Sequence, residues 1–249
     1  MIDEALAWRV EQACFNAWPS LNQVHFGDWC GRFGAGLSRR NNSANPLSPG
    51  AEEPERHLAE IEALYRRWAL TPRFRVPSFL DPQVARTLQA SGYDMEGETL
   101  TLFAPLERTS RASDPGLQVF EAPSPEWIAA KARLSAFSAA EADALARIVG
   151  RLAIPAGLAL LQADGAPAAV AFGALHDGLL CLEAVVTDPD RRGRGFGRRL
   201  LQGLLAWGDT RGAEAVCLQV QSDNAAGLAL YRRLGLTTEL YRYHYRRGA

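Results

Sequence analysis

Lysine is almost missing from this 249-residue chain: Lys131 stands alone, so arginine supplies 26 of the 27 basic side chains. The bias reads mainly as genome composition, although arginine also suits bidentate phosphate contacts. A surplus of charge is missing too. A formal net charge of -1 argues against a protein whose main partner is a nucleic-acid backbone. Cysteine is sparse. Cys14, Cys30, Cys181 and Cys217 lie far apart, with no Cys-x-x-Cys pair and no histidine at ligand spacing. That pattern predicts neither a disulfide framework nor a metal site, and it fits a reducing compartment. No apolar run approaches the ~20 residues that span a bilayer. The acidic start, Met1-Ile2-Asp3-Glu4, lacks the basic-then-apolar order of a signal peptide. The expectation is a soluble cytoplasmic protein with no membrane or nucleic-acid partner, monomeric or a homodimer. A hydrophobic fraction of 47% and a charged fraction of 22% are those of an ordinary globular chain, of one large domain or two.

The segment Glu107–Gly116 is polar, rich in small residues and closed by Pro115-Gly116, which reads as a linker. The expected organisation is a first unit over 1–106, a linker over 107–116 and a second unit over 117–249. Beyond the linker the pattern is regular. Leu117–Glu121 alternates as a strand, and helical runs cover Pro125–Ser138 and Ala140–Leu152. Leu158–Gln162 and Ala168–Leu175 read as strands joined at Asp164-Gly165, and Leu179–Val186 as a third. An amphipathic helix then carries Leu200, Leu201, Leu204, Leu205 and Trp207. It is followed by a strand at Val216–Val220, a short helix over about 224–234, and a last strand at Leu240–Tyr245. The first unit repeats the order helix, strand, helix, glycine, strand through Leu58–Trp68, Arg73–Val76, Asp81–Ser91, Gly92 and Thr99–Phe103. These patterns imply a mixed α/β fold, duplicated in tandem with a degenerate first copy. Arg39–Gly50 shows neither period and reads as loop.

The densest chemistry lies in Asp188-Pro189-Asp190-Arg191-Arg192-Gly193-Arg194-Gly195-Phe196-Gly197-Arg198, between a strand and a helix. Glycines let backbone N–H groups approach a ligand, and the helix start adds unpaired N–H groups and a positive dipole end. With Arg192, Arg194 and Arg198 this forms an anion cradle suited to a pyrophosphate. A P-loop would need Gly-Lys-Ser/Thr, which is absent. A Rossmann fingerprint would need Gly-x-Gly-x-x-Gly near the first strand, whereas Gly193, Gly195 and Gly197 come late at another spacing. One short Arg-Gly stretch between ordered elements is a poor match to an RNA-binding box.

Arg-x-x-Gly-x-Gly (Arg192, Gly195, Gly197) after a strand ending Val-x-x-Asp-Pro resembles the acetyl-CoA signature of the GNAT superfamily of N-acetyltransferases. A second segment is similar as well: Asn224-Ala225-Ala226-Gly227-Leu228-Ala229-Leu230-Tyr231-Arg232-Arg233-Leu234-Gly235-Leu236 resembles Asn-x-x-Ala-x-x-x-Tyr-x-x-x-Gly-Phe, with Gly227 for Ala and Leu236 for Phe. The resemblance is dense over 158–246 and implies a GNAT-like α/β fold with acetyl-CoA as cosubstrate and no metal. It implies that the strands Leu179–Val186 and Val216–Val220 splay apart. Backbone groups of Ala184, Val185 and Val186 would then bond the pantetheine arm, and residues Arg192–Arg198 (Gly193, Phe196 and Gly197 included) the diphosphate. Asn224 would hold the cofactor arm or simply cap its helix. Tyr231 is the implied acid for the departing thiolate, or else a packed aromatic.

Glu183 interrupts an apolar run, where a carboxyl tends towards a raised pKa, and is the candidate base; a water chain is the alternative. Cys181 and Cys217 read as buried apolar residues rather than acyl carriers. His176 reads as a surface turn residue, and His244 as lining an acceptor pocket or flanking the sheet. The cluster Trp29, Arg32, Phe33 and Arg39-Arg40-Asn41-Asn42 is expected to shape an acceptor cleft or a domain interface. The implied acceptor is a primary amine on a small molecule. A non-catalytic acyl-CoA-binding module and a protein N-terminal acetyltransferase are the other readings.

Overall fold

The computed structural model describes residues 3–52 and 54–249; Met1 and Ile2 of the acidic start lie outside it. Helix α1 (Glu4–Ala17) begins where the Asp3 carboxylate accepts the Leu6 N–H, which satisfies one orphan amide of the first turn. A hairpin follows, β1 (Asn22–Phe26) and β2 (Trp29–Phe33), and then a three-residue strand, β3 (Ala44–Pro46). Next come α2 (Leu58–Arg67), β4 (Arg73–Pro77), α3 (Pro82–Ala90) and the long β5 (Asp94–Pro105). The second half runs β6 (Leu117–Phe120), α4 (Pro125–Leu134), α5 (Ala139–Val149), β7 (Ala156–Ala163), β8 (Ala166–His176) and β9 (Leu179–Thr187). It closes with α6 (Phe196–Thr210), β10 (Ala215–Gln221), α7 (Ala225–Arg233) and β11 (Thr238–Arg247).

Among the described residues every strand joins one eleven-stranded sheet in the order β1-β2-β3-β4-β11-β5-β10-β9-β8-β7-β6. Strand β5, from the first half, lies antiparallel between β10 and β11 of the second. Period-2 alternation sorts the sheet's side chains into two layers. Leu158, Leu160, Cys181 and Cys217 face a core with α1, α4 and α5, whereas Ala159, Leu161, Leu180 and Val216 face α6 and α7. A third cluster, around Trp29, Phe33, Tyr65 and Phe74, packs α2 and α3 on the first half. Among the described residues no helix is long and apolar enough to cross a membrane.

Within the stretch read as loop, Arg39–Gly50, Ala44–Pro46 is a strand with all three residues buried. Three residues are too short to display a period of two. Glu107–Gly116 is irregular after a single 3₁₀ turn, Leu106–Arg108, yet it is bonded along its length. Ser110 donates to the Leu234 carbonyl (3.0 Å), and Asp114 holds Arg199 at 2.6 Å.

Candidate active site

Strands β9 and β10 run parallel and pair from Leu179↔Ala215 to Leu182↔Leu218, where the ladder stops. Both strands continue, β9 to Thr187 and β10 to Gln221. The fork leaves the β10-facing backbone of residues 183–187 without a strand partner. A bulge accompanies it: the β8–β9 register shifts between Val170 and Phe172, and Ala184 adopts φ +55°. A non-glycine residue in that region is uncommon and marks a re-aimed backbone.

The fork opens into a cleft of about 760 Å³ lined by Val185, Val186, Thr187, the turn Arg192–Arg198, and the Asn224–Arg233 face of α7. At the mouth, Gly195 caps α6 with φ +83°, a conformation costly for any residue with a Cβ. Gly197 serves a different purpose: a Cβ there would lie 3.0 Å from Thr187 Oγ1 and 3.3 Å from Leu230. Arg199 is the first residue of α6 whose N–H finds a helical acceptor, the Gly195 carbonyl at 3.0 Å. The preceding amides have no helical acceptor and sit at the positive end of the dipole. Arg192, Arg194 and Arg198 are exposed around them. Arg194 reaches Asp164 only at 3.9 Å.

Asn224 lines the cleft and also caps α7, its Oδ1 accepting the Gly227 N–H at 2.9 Å. A Cβ at residue 227 would lie 2.8 Å from Asn224 Nδ2, so the glycine gives this cap its room. Tyr231 is 8% exposed and lines the cleft from the same helix. Burial first, and then the negative charge of Glu183, push its phenol up to about 12. Thr187, Leu230 and Arg233 also line the cleft. Sequence reasoning passed over them, although Ala226, Leu230 and Arg233 follow one another at helical spacing.

Glu183 is 2% exposed and is absent from the cleft lining; Arg40, from the first half of the chain, meets it. The guanidinium clamps both carboxylate oxygens, Nη1 at 2.5 Å from Oε1 and Nη2 on Oε2. Burial raises the Glu183 carboxyl above its ordinary value, against the pull of Arg40. Arg40 also donates to Gln219 Oε1 (3.2 Å), and Arg75 in turn holds Glu11 at 2.7 Å, so a buried polar chain runs from β9 to α1. The loop that presents Arg40 is built around Asn42. Its Oδ1 accepts the N–H groups of Gly34 (2.8 Å) and Gly36 (3.0 Å), and its Nδ2 donates to the Ser38 carbonyl (2.6 Å). Sequence reasoning flagged this loop without finding its target.

Of the rest of that cluster, Arg32 donates to the Trp18 carbonyl and Arg39 reaches Glu96 at 3.4 Å. Trp29 and Phe33 pack in the third core. Cys181 and Cys217 are fully buried and do not line the cleft. His176 lines a separate pocket of about 130 Å³ beside Trp8 and Asn16, and His244 is half-buried in the β11 ladder opposite Val76.

The family model described as "Probable histone acetyltransferase Rv0428c C-terminal" matches residues 7–246. The chain belongs to that family and is a GNAT-superfamily acetyltransferase. Among curated relatives, the uncharacterized N-acetyltransferase YobR of Bacillus subtilis is 26% identical over 96% of this chain and 97% of its own. The probable histone acetyltransferase Rv0428c of Mycobacterium tuberculosis is 27% identical over 88% of this chain and 68% of its own. A [ribosomal protein bS18]-alanine N-acetyltransferase of Salmonella typhimurium is 38% identical, over 34% of this chain and 57% of its own. A solved GCN5-related N-acetyltransferase from Kribbella flavida superposes with a TM-score of 0.71 at 19% identity, covering 100% of this chain and 97% of that one. A tandem GNAT protein from the clavulanic acid biosynthesis pathway superposes at 0.63 and 17% identity, over 83% and 74%. The mixed α/β sheet is the GNAT fold.

Proposed function

We propose that this enzyme moves an acetyl group from acetyl-CoA to a primary amine on a small molecule, by direct attack in a ternary complex. The observation that carries the reading is the β9–β10 fork, closed at Leu182↔Leu218 and open over residues 183–187, directly before the amide-lined mouth at Gly195–Gly197. Peptide groups of Ala184, Val185 and Val186 would bond the pantetheine arm as a missing strand does. One of these N–H groups would face the thioester oxygen and stabilise its developing charge. The amides and arginines of 192–198 would take the diphosphate.

In this mechanism the amine nitrogen bonds to the carbonyl carbon, the carbon–sulfur bond breaks, and the ammonium proton leaves towards Glu183. The Tyr231 phenol, held protonated by burial, gives its proton to the departing thiolate. Arg40 is the positioning residue: its bidentate contact fixes the orientation of Glu183 and opposes the effect of burial on the carboxyl. Residues 1–106 would thereby complete a site whose cofactor chemistry lies in 117–249, with 107–116 joining them. The recurrence of α2-β4-α3-Gly92-β5 as α6-β10-α7-Gly235-β11 supports a duplication with a degenerate first copy.

A second reading is acetylation of a protein N-terminus, supported by the likeness of one stretch to the bS18-alanine enzyme. The deciding experiment is titration calorimetry with CoA, followed by thiol release from acetyl-CoA over small amines and alanine-starting peptides. Heat with CoA and turnover on amines is expected. Peptide-only turnover selects the second reading, binding without turnover a non-catalytic acyl-CoA-binding module, and no heat from folded protein overturns both acetyl-transfer readings.

A further inference from the structure

Three cysteines that are 167 and 36 residues apart along the chain converge behind the active site. Cys14 lies on α1, and Cys181 and Cys217 are register partners on β9 and β10. The Cys181 sulfur is 3.3 Å from that of Cys14 and 3.2 Å from that of Cys217, and all three lie within 4.8 Å of one another. They are 2%, 0% and 0% exposed. With two sides that short and a third no longer than 4.8 Å, a point equidistant from the three sulfurs lies at most about 2.4 Å from each, so the three can converge on one ion whose bonds to thiolate are ~2.3 Å. The short contacts are those of protonated thiols donating to one another. Seating an ion asks the two close pairs to part by roughly half an ångström, within reach of small side-chain rotations.

The surrounding charge points the same way. The charged side chains packed into this layer include the buried Arg32, Arg75, Lys131, Glu11 and Glu183 and the half-buried Arg40. Arg40 is matched by Glu183 and Arg75 by Glu11. Arg32, 2% exposed, has only the Trp18 carbonyl and the Phe15 ring, 4.1 Å away, and no carboxylate among the described residues. Arg32 and Lys131 therefore have no salt-bridged carboxylate among the described residues, in a layer where an uncompensated charge is costly.

We propose that Cys14, Cys181 and Cys217 form a three-thiolate site for a thiophilic divalent ion of the zinc type. On binding, three S–H bonds break, three protons leave to solvent and three metal–sulfur bonds form. The resulting unit carries a single negative charge. The site has no opening to the cleft, so its role is structural: it ties α1 to the strands that carry Glu183 and Gln219. Burial of the sulfurs means that loading accompanies folding. The proposal stands apart from the acetyl-transfer reading, because its readouts are metal content and stability.

The test is to refold the reduced full chain from denaturant with zinc chloride or with a chelator, and to weigh both by native mass spectrometry. One zinc per chain and a higher unfolding midpoint with zinc are expected. Refolding with cadmium chloride should produce an ultraviolet thiolate-to-cadmium band. Cys14→Ser and Cys217→Ser should lose ion and band, and Cys30→Ser, buried in the first half, should keep both. Wild-type chain that refolds metal-free with an unmoved midpoint and no cadmium band overturns the proposal. So does a native chain two mass units light, its thiols already joined as a disulfide.

Discussion

Arg40 and Glu183 are 143 residues apart in sequence and joined by two side-by-side N–H···O bonds, with the carboxylate 2% exposed. One partner comes from a loop of the first half and the other from a central strand of the second. Breaking a buried pair leaves one charge uncompensated at a cost of about 3–5 kcal/mol. Arg40→Ala should therefore lower stability by that order in a denaturant titration. Unchanged stability would mean that the pair opens readily in solution.

The same contact sets a pH dependence. Burial raises the Glu183 carboxyl and Arg40 lowers it. A base works only when deprotonated, so kcat/KM should rise with pH through a value above the ordinary carboxylate range. Removing Arg40 leaves burial unopposed, and the acid limb should move to higher pH, with partial return in Arg40→Lys or with added guanidinium. Glu183→Gln should lose that limb and ~10²–10⁴-fold in rate. An unaltered profile in Glu183→Gln would assign the proton to a water chain.

Tyr231 tests the other proton. With its phenol raised to about 12, it stays protonated through the neutral range and the basic limb should lie far into alkali. Tyr231→Phe should lower kcat by ~10²-fold or more while leaving the affinity for CoA within a few-fold, read by single-turnover kinetics and calorimetry. Equal kcat in wild type and Tyr231→Phe would make Tyr231 a packing residue.

The cradle depends on two glycines for two reasons, and both are testable. Gly195→Val places a β-branched residue at φ +83°. Gly197→Leu drives a side chain towards Thr187 Oγ1 and Leu230, 3.0 and 3.3 Å from a Cβ. Both variants should weaken CoA binding at least tenfold by calorimetry, and Gly195→Val should also lower the thermal midpoint.

Lys131, the lone lysine, is 8% exposed on α4, and burial lowers its pKa to about 8. The unfolded chain binds the extra proton up to its ordinary value of 10.5, so stability should rise with pH between about 8 and 10.5. Lys131→Met removes the cost of burying the charge and should stabilise the protein at pH 7 by roughly 1–3 kcal/mol. A stability curve flat across that interval would place the ammonium in solvent.

Strands β7 to β11 and helices α6 and α7 were readable because their apolar residues keep periods of 2 and 3.6 over enough length. The turn at Arg192–Arg198 was readable because its glycines mark where backbone must bend or approach. Helix α1 and the hairpin β1–β2 were passed over. In α1 the buried positions include Glu11, whose charge hides the apolar stripe and makes sense only beside Arg75. In β2 all five residues are buried, among them Gly31 and Arg32, so no alternation is present to read.

Local order along the chain thus determined the elements and the phosphate-type cradle, because periodicity, caps and glycine turns act between residues a few positions apart. Only the tertiary structure decided that Arg40 faces Glu183, that three distant cysteines meet, and that β5 lies between β10 and β11. Those pairings hold charges and thiols in a shared low-dielectric interior. Their partners are chosen by how the sheet closes, which spacing along one strand or helix does not encode.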